Sequence, residues 1–290
     1  MKTFYEIYNL WEGQSKPYAK DNDLREYCKE SWGSQCVFQV IEPTLTVYPA
    51  KGTNTGIGVV IIPGGGYTAE VIYHEGHDLA KIISRRGITA AVLKYRLPNP
   101  ETSDQPHLVP LADTRRALKI LRKQGEKFGV DPGKVGVIGF SAGSHLATVA
   151  SLWKSDDRDE NPAFSGLIYG VTNLSEANLE WLEECLYFRK LTPEEQAQNR
   201  LLDLLTEPPP TFLVHAYDDE VCKVEETTLY AQKLFECHVP VEMHLFPKGG
   251  HGFGPGRKKD GTYQWVQLFI NWLKILFQIS FQSKEAATEG

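Results

Sequence analysis

A serine, two adjacent aspartates and a histidine stand in this 290-residue chain in an order that suits nucleophilic catalysis. The serine closes the stretch Val135-Gly136-Val137-Ile138-Gly139-Phe140-Ser141-Ala142-Gly143, an apolar run that stops at one hydroxyl among small residues. Gly139-x-Ser141-x-Gly143 follows a predicted strand and opens a helix-like run. That setting is a tight strand-turn-helix elbow, which raises a serine at a helix N-terminus where the dipole favours developing negative charge. A serine hydroxyl needs a base, and the base needs an orienting carboxylate. The run 211–215 leads into Ala216-Tyr217-Asp218-Asp219, and the run 241–246 leads into Pro247-Lys248-Gly249-Gly250-His251. Candidate acids Asp218 and Asp219 and candidate base His251 therefore follow the carboxyl ends of two predicted strands, in the order serine, acid, histidine. Ile61-Ile62-Pro63-Gly64-Gly65-Gly66-Tyr67 follows another apolar run. One or two of its unobstructed glycine N–H groups, with that of Ala142, would hold the oxyanion of a tetrahedral intermediate.

Such side chains need a scaffold, and the chain has the pattern of one. Continuous apolar runs at 58–62, 88–95, 135–140, 167–171, 211–215 and 241–246 read as strands buried on both faces. Helix-like stretches lie between them at about 69–86, 108–128, 142–153, 224–237 and 262–279. The alternation predicts an α/β fold with a mostly parallel central sheet and helices on both faces. Residues 36–49 read as two strands broken at Pro43, at an antiparallel sheet edge. Residues 1–35 read as an arm packed on the domain, 36–282 as the domain itself, and 283–290 as a disordered tail. The polar, acidic stretch 172–210 breaks the rhythm and reads as a small cap inserted over the sheet's carboxyl edge, or as a surface excursion. Within it Thr192-Pro193-Glu194-Glu195 has the form of a capping box that starts a helix.

Composition narrows the function classes. The chain is 41% hydrophobic and 23% charged with net charge -6, ordinary for a globular domain and without a basic face for nucleic acid. No segment approaches the roughly 20 apolar residues of a membrane span. The N-terminal residues lack the apolar run of a signal peptide, and five scattered cysteines suit a reducing compartment, so a cytoplasmic location is expected.

The segments 59–67, 73–98, 110–147, 208–227 and 246–254 together resemble the α/β-hydrolase superfamily. More narrowly they resemble its esterase/lipase branch, labelled acetyl-xylan-esterase-like or BD-FAE type. The resemblance covers about residues 36–280. It implies Ser141 as nucleophile, His251 as base and Asp219 as acid, with Asp218 in reserve, and Gly65, Gly66 and Ala142 as oxyanion donors. It implies no cofactor and no metal. Its departures are Pro63 where related lipases carry His, Ser144 where the branch often has Gly, and Val221-Cys222-Lys223 where it often has Val-Val-Pro. The implied reaction is hydrolysis of a small-molecule ester through an acyl-enzyme, with acetylated sugars as a candidate substrate class. An amide or formamide hydrolase with the same triad is the sibling reading. A non-catalytic ligand receptor is the reading from another class.

Other motifs have structural readings. His74-Glu75-Gly76-His77 lacks the His-Glu-x-x-His spacing of a zinc site. His145 and His215 read as packed histidines, and Asp113 with Arg115 and Arg116 as an ion-pair network on one helix. Trp265, Phe269, Trp272 and Phe277 have helical spacing and read as core or as the face of a homo-oligomer.

Overall fold

Apolar runs without polar alternation must hide both faces, and here they do so as neighbours in one sheet. The computed structural model describes residues 4–172 and 176–279, so the tail 283–290 lies outside the described residues. The first strands are β1 (Glu6–Asn9), β2 (Tyr27–Ser31), β3 (Ser34–Phe38), β4 (Thr44–Tyr48), β5 (Gly58–Ile62) and β6 (Ala69–Glu70). A π-helical turn, Ile72–Asp78, then runs into α1 (Leu79–Ser84). There follow β7 (Thr89–Lys94), α2 (Val109–Lys123), α3 (Gly125–Phe128), β8 (Val135–Phe140), α4 (Ala142–Leu152) and β9 (Ser165–Ile168). The chain continues through α5 (Glu176–Leu182), α6 (Pro193–Gln198), β10 (Thr211–Ala216), α7 (Val224–Glu236), β11 (Val241–Phe246) and α8 (Trp265–Leu276).

The main sheet has eight strands in the order β1-β4-β7-β5-β8-β9-β10-β11. From β7 to β11 every neighbour is parallel, whereas β1 and β4 are antiparallel at one edge. Every residue of β5, β8 and β10 is buried. The chain leaves β5 for β7 on one side and later returns to β8 on the other. Loops leaving β5 and β8 therefore diverge, and such a switch point opens a crevice at the strands' carboxyl ends. The aromatic stripe of α8 is core: Phe269 and Trp272 pack on Phe164 and Phe212, and Phe277 also meets Phe164.

Three local expectations change. The first 35 residues supply strands to two sheets: β1 pairs with β4, and β2 joins β3 and β6 in a separate antiparallel sheet. The break at Pro43 accordingly sends β3 and β4 into different sheets. The stretch 69–86 is a short strand, a π-turn and a helix, and the π-turn carries Glu75 and Gly76 inward. Asp113 does not pair with Arg115 or Arg116. Arg115 reaches the Trp153 carbonyl and Arg116 the Leu10 carbonyl. Asp113, fully buried, holds Arg96 instead: guanidinium nitrogens donate at 2.7 and 3.0 Å, the Arg96 N–H at 2.9 Å, and Trp11 Nε1 at 2.7 Å. Helical spacing places the arginines near Asp113 in sequence, but that aspartate points into the body of the protein, where Arg96 beyond β7's end and Trp11 of the N-terminal segment reach it.

A buried pair broken on one side leaves an uncompensated charge, which costs more than the pair itself contributes. Asp113→Ala is expected to lower the unfolding free energy by about 3–5 kcal/mol, measured by urea denaturation. Arg96→Met on that background should recover part of the loss.

Candidate active site

Ser141 sits between the last residue of β8 and the first of α4, with φ 51° and ψ −119°. A non-glycine residue takes such a backbone only where its surroundings enforce it. The enforcement is close packing: a Cβ on Gly139 would strike the Gly143 carbonyl, and one on Gly143 would strike the Ile62 carbonyl. Both glycines of the elbow are thus required by backbone contact among β5, β8 and α4. The Ser141 N–H donates to the Ile168 carbonyl at 3.0 Å, which ties the turn to β9 as well.

The loops after β10 and β11 bring the partners to this serine. His251 Nε2 lies 2.9 Å from Ser141 Oγ, and His251 Nδ1 lies 2.8 Å from Asp219 Oδ2. A carboxylate only accepts, so Nδ1 carries the imidazole proton and Nε2 is left to accept from the serine hydroxyl. Asp219 is buried, while Ser141 and His251 are half-buried and reachable from solvent. Asp219 Oδ1 accepts the N–H groups of Val221 and Cys222 at 2.9 and 2.8 Å. Its Oδ2 also lies 3.2 Å from His215 Nε2. Burial by itself raises the Asp219 pKa, but hydrogen bonds from His215, His251 and the Cys222 N–H, with the charge on His251, hold it well below the carboxylate range.

Each sequence candidate now has a place. Asp218, the reserve acid, accepts the Gly250 N–H at 2.7 Å, so it braces the histidine's loop. Gly64 N–H donates to Glu75 Oε2 at 2.6 Å, so of the three glycines it is already engaged. No hydrogen bond among the described residues occupies the N–H groups of Gly65, Gly66 or Ala142. Gly65 has φ 130° and no room for a Cβ against the Ala69 carbonyl. His145 is buried with its Nδ1 2.8 Å from the Tyr67 hydroxyl, and burial pushes its pKa down to about 3. It stays neutral and structural.

His215 does more than fill core. Its Nδ1 pairs with Thr227 Oγ1 at 2.7 Å, and its Nε2 faces both the Cys222 carbonyl at 2.9 Å and Asp219. A nitrogen facing two acceptors carries a proton, so His215 supports the acid from behind. Its position four residues before Asp219 was the available signal. In the His-Glu-Gly-His stretch, His77 Nδ1 bonds the Tyr48 hydroxyl at 2.9 Å and Glu75 turns inward to Gly64 and Tyr169. The inserted stretch begins its α6 with the Thr192–Glu195 capping box in place. Its Trp181 stacks on Tyr67, ring centroids 5.4 Å apart, so it rests beside the glycine turn.

Comparison with known proteins follows the same lines. A family model described as alpha/beta hydrolase fold matches residues 59–254. An acetylxylan esterase of Xylanibacter ruminicola is 30% identical over 230 residues, which cover 76% of this chain and 46% of that protein. An endo-1,4-beta-xylanase B of Butyrivibrio fibrisolvens is 32% identical over 205 residues, 67% of this chain and 32% of that protein. This chain thus spans about half the length of the first relative and a third of the second. The crystal structure of an acetyl ester-xyloside bifunctional hydrolase from Caldicellulosiruptor lactoaceticus superposes with TM-score 0.78 at 30% identity, covering 95% of this chain and 97% of that one.

Folding lowers the Asp219 pKa, so its carboxylate stabilises the fold above the ordinary carboxylate range. That contribution is lost as pH falls through the range toward the folded value. Asp219→Asn should therefore unfold at lower urea than wild type near about pH 6, and the gap should close toward about pH 2.

Proposed function

Since this chain belongs to the α/β-hydrolase family, we propose that it is a serine carboxylesterase that removes short acyl groups from small molecules. The observation that carries the proposal is the continuous hydrogen-bond chain from Ser141 Oγ through His251 to Asp219. Ser141 attacks the ester carbonyl while His251 Nε2 takes its proton. Asp219 stabilises the resulting imidazolium without accepting the proton itself. Negative charge develops on the carbonyl oxygen, and the N–H groups of Gly65, Gly66 and Ala142 are assigned to receive it. The imidazolium then protonates the departing alkoxide. A water activated by the same base releases the acid from Ser141.

Acetylated sugars are the substrate class we favour. The support is the acetyl- and xylose-directed names of the relatives and of the solved neighbour, and the neighbour's coverage of nearly the whole chain. The esterase names also favour an ester over an amide bond. The inserted segment that carries Trp181 is assigned to the wall of the site, because Trp181 stacks on the residue that follows the glycine turn. A cytoplasmic location draws support from five free cysteines. Among the described residues no helix is long and apolar enough to cross a membrane.

With p-nitrophenyl esters from acetate to decanoate, kcat/KM should be highest at acetate and fall with chain length, and matched amides should turn over more slowly. Ser141→Ala should lower kcat by about 10⁴- to 10⁶-fold and Asp219→Asn by about 10⁴-fold. Asp218→Asn should cost less than about tenfold, since the side chain braces a loop and does not touch the imidazole. Folded protein without activity on any ester, or a Ser141→Ala variant that keeps its rate, would sink the proposal.

A further inference from the structure

Glu75 is only 3% exposed, and the proposed mechanism gives it no task. A buried carboxylate is costly unless its partners compensate it. Its Oε2 accepts the Gly64 N–H at 2.6 Å, and its Oε1 accepts the Tyr169 hydroxyl at 2.7 Å. The Tyr169 oxygen itself accepts the Gly254 N–H at 3.0 Å. The single phenol proton is therefore committed to Glu75, and the carboxylate accepts on both oxygens, as an ionised group does. One buried line of hydrogen bonds thus joins the glycine turn after β5 to the loop that carries His251.

Tyr169 occupies the middle of that line. It follows β9 directly, with φ 37°, a backbone that bulky residues seldom adopt. Its N–H is anchored to the Val214 carbonyl at 2.8 Å. Its ring meets the His251 imidazole edge-on, centroids 5.0 Å apart, and Phe253 at 4.5 Å. A Cβ on Gly64 would touch both Glu75 Oε2 and the Ser141 Cβ, so the Glu75 end of the line lies directly against the elbow.

We infer that Glu75 and Tyr169 are positioning residues, a buried clasp that holds the oxyanion turn and the histidine loop at a set spacing across Ser141. The inference rests on the esterase reading of Ser141. Tyr169, Tyr95 and the Cys36 thiol are among the titratable groups around Glu75, and the His74 imidazole lies against Gly254 at the end of the line. Burial raises the two phenols and the thiol, so they stay neutral where the enzyme would work. On the far side His251 faces Asp219. Burial pushes the Glu75 pKa up, and the Tyr169 and Gly64 hydrogen bonds and the His251 charge pull it back. Glutamine cannot replace this carboxylate. Its amide accepts on one side only, so either Gly64 or Tyr169 loses its acceptor.

The test uses the full chain with p-nitrophenyl acetate, comparing wild type, Glu75→Gln, Tyr169→Phe and Ser141→Ala. Both clasp variants should lower kcat by about 10- to 100-fold with KM changed less than about threefold, because misplacement costs the transition state more than the ground state. Folded clasp variants with wild-type kcat would overturn the inference. So would losses of activity that merely track a fall in Tm. Persistent activity in Ser141→Ala would instead overturn the esterase reading beneath it.

Discussion

The architecture turns on one close approach, where the backbones of β5, β8 and α4 touch around Ser141. Gly139 and Gly143 leave no space for a side chain, and Ser141 accepts a strained backbone as a result. Interior strands of a parallel sheet are the stiffest available anchors for such a turn, since they are buried on both faces and paired on both edges. Strain held this way keeps one hydroxyl at a helix N-terminus, where backbone dipoles are already aligned toward negative charge.

The other components reach that point from the carboxyl ends of neighbouring strands. β10 delivers Asp219 and β11 delivers His251, two and three strands away from β8 in the sheet. Loops of this kind would wander without bracing, and each is braced. Asp218 holds the Gly250 N–H, His215 backs Asp219, and Tyr169 lies along the imidazole. Four donors converge on the Asp219 carboxylate, and this outweighs the cost of burying it. Binding energy and protein electrostatics act on a transition state only when such groups are placed before the substrate arrives.

The periphery is built around this centre. The N-terminal segment adds an antiparallel edge strand and clips itself to Asp113 through Trp11, so β4 gains a neighbour on its open side. The inserted stretch docks through aromatic contacts, Trp181 on Tyr67 and Tyr187 on His107. Such stacking adds contact area and a preferred geometry without requiring a buried charge.

The sequence by itself determined the strand order of chemistry along the chain: an elbow serine, an acid and a histidine, each after a buried apolar run. Those features are local, because tight turns demand glycine and two-sided burial demands unbroken apolar residues. The parallel sheet and its helices followed from the same periodicity. Tertiary structure brought Asp219, which the family resemblance already preferred over Asp218, within hydrogen-bond reach of His251. It alone paired Asp113 with Arg96, sent the weakly patterned first 35 residues into two sheets, and gathered Glu75, Tyr169 and Gly254 into one line. Those partners lie as much as 94 residues apart in the chain. Contacts of that range leave no periodic trace, because they depend on where separate strands end in space and not on the residues beside them.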